Sequence, residues 1–178
     1  MKVRIGLVLC VVVALAAPAL AQAALPQAKS TLIVPAKSLA GVKLNSSVAA
    51  AVAAWGKGGT CSSSSCQYGS QSNSLGTASF LAAKRTEASP TLVVEISITV
   101  GRSGTGLKPN FKTPLARYRT ASGIGLGSTV KELKHAYRHL VSEQGKVFSL
   151  KGAGESMTTF VAENGRVETI TTQSVHLG

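Results

Sequence analysis

Hydrophobic and polar positions change their period along the chain. From Thr91 to Val100, Val94, Ile96, Ile98 and Val100 alternate with Val93, Glu95, Ser97 and Thr99. Side chains on a strand point to opposite faces in turn, so this run predicts a half-buried strand with Glu95, Ser97 and Thr99 on its polar side. Around Val48, Ala51, Val52 and Trp55 the spacing is helical instead and stops at Gly56. A second helical run places Val130, Leu133, Ala136, Tyr137, Leu140 and Val141 on one face, opened by Thr129 and Glu132. That pair forms a capping box, in which each side chain satisfies an otherwise orphaned backbone N–H. Further strands are predicted near Gly76 to Ala82 and over Lys146–Leu150, Met157–Glu163 and Arg166–Thr172, with Thr31 to Val34 as an edge strand. Asn164-Gly165 between the last two suits a type I′ hairpin turn, because both residues tolerate positive φ. Val167 and Ile170 fall on opposite parity, which predicts a bulge or a late start in that strand.

The two helical runs are related. Aligning Gly41 to Trp55 with Gly123 to Tyr137 needs no gap and matches Gly, Leu, Ser, Val and Ala, with Val/Ile, Ser/Thr and Trp/Tyr exchanges besides. Such self-similarity is the mark of a repeat. The expected fold class is therefore α+β, two tandem units, each a short helix followed by an antiparallel β-meander. The units span 38–100 and 114–173, joined by a linker at 101–113. Trp55 and Tyr137 are expected to anchor their helices in the core. A flexible lead-in at 24–37 and a tail at 174–178 flank them.

Residues 1–23 carry a different pattern: basic Lys2 and Arg4, an apolar run from Ile5 to Ala17, then small residues around Pro18. This is the layout of a secretory signal peptide, with cleavage expected near Ala21 or Ala23. The run falls short of the roughly 20 apolar residues that a spanning helix needs, so no membrane span is expected after cleavage. Cys10 lies within the apolar run after Leu9, where a lipidation site requires a small residue. Export, to the periplasm or cell envelope or beyond, leaves Cys61 and Cys66, which are expected to pair in an oxidising compartment.

At Gly41 to Gly56 and Gly123 to Tyr137 the turn, the short helix closing on an aromatic residue and the following strands resemble the tandem modules of the β-lactamase inhibitory protein group. Those modules are related in shape to the SmpA/OmlA lipoprotein domain. The resemblance covers about residues 38 to 172 and includes Phe80 and Phe160 as further core anchors of the repeat. It implies a secreted, non-enzymatic module that binds another protein through a sheet surface. The second unit lacks the cysteine pair that such modules tend to carry, and no inhibitory residue carries over.

Composition narrows the chemistry. The 178 residues include 19 Lys and Arg against 7 acidic residues, a formal charge of +12. Loss of Lys2 and Arg4 with the signal leaves 17 against 7, about +10. All the acids are Glu, so a Ser-His-Asp triad is excluded, and no G-x-S-x-G elbow occurs. His135 and His139 are four residues apart on the predicted helix, but Lys131, Lys134 and Arg138 interleave with them and oppose a metal cation. The third glycine of Gly123 to Gly127 falls in the wrong place for a dinucleotide fingerprint, and Gly101 to Lys108 has two glycines at P-loop spacing but Leu107 where the Lys is required, so both read as turns.

No catalytic residue, metal site or cofactor is expected. The leading function is a secreted non-catalytic module binding an extracytoplasmic protein. The alternative is attachment to anionic cell-wall polymers or lipid headgroups through Arg117, Arg119, Lys131, Lys134 and Arg138. Nucleic acid is not expected as a partner, because no stacking aromatic motif accompanies the basic residues.

Overall fold

A computed structural model describes residues 24–70, 74–84, 86–104, 108–143 and 145–174. The expected signal peptide and most of the expected tail lie outside the described residues.

The chain begins with β1 (Leu32–Val34), β2 (Ser38–Leu39) and β3 (Val42–Lys43), followed by α1 (Val48–Trp55). Next come β4 (Thr60–Cys61), β5 (Ser65–Ser70), β6 (Gly76–Ala83), β7 (Leu92–Thr99), β8 (Gly101–Ser103) and β9 (Lys108–Asn110). A single 3-10 turn, Pro114–Arg117, leads to β10 (Arg119–Thr120) and α2 (Val130–Ala136). The chain then runs through β11 (Val141–Glu143), β12 (Val147–Lys151), β13 (Ser156–Glu163) and β14 (Arg166–Ser174).

The expected α+β class, with two tandem helix-plus-meander units, is overturned. The protein is mostly β, with two short α-helices among the described residues, and its longest strands belong to one continuous sheet. That sheet runs β11-β12-β13-β14-β7-β6-β5-β4. The physical reason is the antiparallel pairing of β14 with β7 over Thr169–Gln173 and Glu95–Thr99, which joins strands from both halves of the chain. A small sheet, β10-β1-β2-β3, carries a parallel pair between β1 and β10, so it too mixes the two halves. The segment expected as a linker contains the β8-β9 hairpin.

One core fills the space between these layers. Its fully buried side chains include Trp55, Tyr68, Phe80, Phe148, Phe160, Ile33, Leu39, Ile96 and Ile98. Trp55 meets the Tyr68 and Phe80 rings edge-on at centroid distances of 5.4 and 6.0 Å, and its indole N–H donates to Ala40 O. Tyr137 is half-buried and stacks on Phe160 at 6.0 Å. Both helices therefore press on the sheet face that carries Phe80 and Phe160. Residues at the start of the described chain add to this layer: Tyr118 Oη donates to Pro26 O, Gln27 N–H to Trp55 O, and Gly69 N–H to Ala24 O.

Local signals explain the element ends. Ser47 caps α1 by accepting from Ala50 N–H, and Gly56 ends it at φ 86, where a side chain would be strained. Thr129 and Glu132 form the reciprocal box at α2. That helix is shorter than its apolar period, since Tyr137 has extended backbone angles and Val141 belongs to β11. Asn164 and Gly165, at φ 52 and 75, make the tight turn between β13 and β14, and a register shift follows at Val161/Ala162.

Candidate functional site

The face of the large sheet opposite the helices is polar. In β7 the alternation that buries Ile96 and Ile98 turns Glu95, Ser97 and Thr99 to this side, where all three are half-buried. Register then carries the pattern across the sheet. Thr60 pairs with Gln67, Gln67 with Ser79, Ser79 with Ser97, Ser97 with Thr171, Thr171 with Thr159, and Thr159 with Ser149. The result is a rank of hydroxyl and amide side chains spaced by the strand separation of about 4.8 Å. Ser97 and Thr171 hydroxyls lie 3.0 Å apart, and those of Ser149 and Thr159 lie 3.4 Å apart. Beside it, Thr77, Thr99 and Thr169 form a parallel rank, with Thr169 donating to Thr99 at 3.2 Å.

An antiparallel sheet can leave one face to water, and hydroxyl side chains suit that exposure because they bond each other and remain able to bond a ligand. Over β5 to β7 the face is shaped into a groove of about 480 Å³ lined by Gln67, Ser70, Thr77, Ser79, Glu95, Ser97 and Thr99. A second depression of about 560 Å³, also bounded by Gln67, Ser79 and Glu95, continues it to Cys61 and Cys66. These two cysteines face each other across β4 and β5 with Cα atoms 4.0 Å apart and sulfurs at disulfide distance. They tie the edge strand β4 to β5 beside the groove.

Near the start of β14, Glu168 is buried to 3 % exposure. Its Oε2 accepts from Arg102 Nη2 at 2.9 Å, and Arg102 also lies 3.7 Å from Glu163. Oε1 has no hydrogen-bond partner among the described residues. Burial raises the Glu168 pKa above the ordinary carboxylate value; Arg102 opposes the rise and Glu163 adds to it.

The basic residues singled out in the sequence lie apart from the polar face. Lys131, Lys134 and Arg138 are exposed on or just after α2, on the helix side, with Lys134 Nζ 5.5 Å from the Phe148 ring centre. Arg117 donates to Pro26 O and to Tyr118 Oη, and Arg119 donates to Gly123 O at 2.7 Å. Arg119 also joins Arg166, His135 and Glu132 around a cleft of about 660 Å³. Glu132 is held below the ordinary carboxylate range by the Thr129 backbone N–H and hydroxyl, helped by Arg166 and Arg119. His139 falls beyond the end of α2, so the two histidines do not share a helix. Among the described residues, no three His, Cys or Glu side chains gather as metal ligands. No helix among them is long and apolar enough to cross a membrane.

The polar rank escapes a reading strand by strand. Only its β7 members stand out, as the polar half of an alternating run, and its other members read as ordinary Ser and Thr until the register is known. Comparisons with known protein families, with curated proteins and with solved structures return no match.

Proposed function

We propose that this chain is an exported, non-catalytic binding module that engages another protein through the open face of its large sheet. One observation carries the reading: the rank from Thr60 to Ser149 crosses strands from both halves of the chain, while both α-helices pack on the other side. Export is supported by the signal-like N-terminal pattern and by the cysteine pair at disulfide distance. The test is affinity capture from the native extracellular fraction at low and high salt, with wild type and Thr171→Lys side by side. A protein retained by wild type at both salt levels and lost in the variant is the expected result. Capture unaffected by Thr171→Lys overturns the reading.

A second reading rests on the opposite side. Lys131 and Arg138 are exposed and have no carboxylate within 4 Å among the described residues, which suits anionic envelope polymers or lipid headgroups. Binding of that kind fades as salt rises and is indifferent to Thr171→Lys.

A further inference from the structure

Among the described residues, the groove on the polar face holds one charged side chain in a protein that is otherwise strongly basic. Glu95 lines both depressions, and among the described residues neither lining includes a Lys or Arg. Its cross-strand neighbours in register are Leu81 and Gln173, neither of which carries a charge. Among the described residues the Glu95 carboxylate forms no ion pair, whereas Glu163 and Glu168 share Arg102. Half-buried on a central strand, it is partly withdrawn from solvent, and it shares the lining of the groove with Gln67, Ser79, Ser97 and Thr99.

We propose that Glu95 is the selectivity charge of this face, and that the groove receives a Lys or Arg side chain presented by a partner polypeptide. This rests on the reading of the face as a protein-binding surface and names what the face selects. Charge complementarity fixes the sign of the occupant, because a carboxylate with no Lys or Arg beside it among the described lining residues attracts a cation and repels an anion. The hydroxyls and the Gln67 amide accept the remaining N–H donors, so a guanidinium or ammonium can be satisfied without a second carboxylate. The +10 charge of the exported chain would keep a basic partner away from most of its surface, and the groove is where that repulsion is reversed.

The test uses the folded chain without its signal and blocked five-residue peptides Gly-Gly-X-Gly-Gly with X as Arg, Lys, Gln or Glu, plus a glucosamine tetramer. Backbone amide shifts are followed by NMR. The Arg and Lys peptides are expected to give saturable shifts centred on Gln67, Ser79, Glu95 and Ser97, weakened by up to about fivefold by Glu95→Gln. The Gln and Glu peptides should give none there. Equal shifts with the Gln peptide, no saturable shift with Arg or Lys, or equal affinity in Glu95→Gln overturns the proposal. Saturable binding by the glucosamine tetramer alone overturns the polypeptide occupant. Failure here is distinct from failure of the face itself: capture abolished by Thr171→Lys but untouched by Glu95→Gln leaves the face standing and removes Glu95 from its selectivity. A thermal melt of Glu95→Gln matching wild type confirms that the variant is folded.

Discussion

The hydroxyls of Ser97 and Thr171 meet at 3.0 Å although 74 residues of chain separate them. They sit on β7 and β14, the strands whose pairing makes one sheet out of two halves. Cross-strand hydroxyl pairs contribute about 0.2–1 kcal/mol relative to alanine. A double-mutant cycle with Ser97→Ala and Thr171→Ala should therefore show a coupling in that range by urea denaturation, and zero coupling would separate the two hydroxyls energetically.

Trp55 is the sole tryptophan and is fully buried. Its replacement by Ala removes two edge-on ring contacts and leaves Ala40 O without its donor. A loss of about 3–5 kcal/mol is expected, measured by chemical denaturation followed by circular dichroism. In the wild type, the same burial means that tryptophan emission should shift to the red on unfolding.

Glu168 makes stability depend on pH in a defined direction. Its folded pKa is raised above the ordinary 4.5, so the protonated form is the one that the fold favours. The contribution of this group is greatest below about pH 4.5 and is lost as pH rises through the higher folded value. Glu132 acts oppositely, since its lowered pKa favours the charged form above 4.5. The test is therefore the difference between wild type and Glu168→Gln. The variant should gain stability relative to wild type as pH climbs from 4.5 to 7, and a difference independent of pH would refute this.

Thr129 both caps α2 and holds Glu132. Thr129→Ala is expected to cost about 1 kcal/mol, a fall of about 2–4 °C in Tm for a chain of this size. Serine at the same position should restore most of it. An unchanged Tm in the alanine variant would show that the cap contributes little.

The cysteine pair closes a loop with a separation of 5 residues and ties β4 to β5. Closing so short a loop stabilises by about 2 kcal/mol. Reduction should lower the denaturation midpoint without unfolding the sheet, and a reduced protein lacking ordered β circular dichroism would contradict this.

Much of the local structure was legible because it depends on neighbours in sequence. The alternation of Val94 to Val100, the Thr129/Glu132 box and the Asn164-Gly165 turn each state their geometry within ten residues, and the parity change at Val167 and Ile170 marks the irregularity found in β14. The similarity of the Gly41 and Gly123 segments is just as local, and it suggested two units because nothing in it reports which strands pair. That information sits in contacts such as Ile98 with Ile170, distant in sequence and similar in kind to several other apolar pairs. The site was half-visible for the same reason. Glu95, Ser97 and Thr99 announce a polar side, but the alignment of Ser97 with Ser79 and Thr171 is a property of the register. Lys131, Lys134 and Arg138, prominent in the sequence, fall on the helix side instead.

The pairing of β7 with β14 also sets an order of events. β7 has β6, its neighbour in sequence, beside it, but its other edge stays open until the strand that begins at Arg166 arrives. Until then its unpaired backbone groups invite foreign strands, a hazard of sheets built from distant partners. Under the export proposed above, with the chain emerging from its N-terminal end, the polar face of the sheet is completed only when β14 has followed. A chain stalled in transit, or cut before Arg166, would therefore present a sticky edge instead of a finished surface.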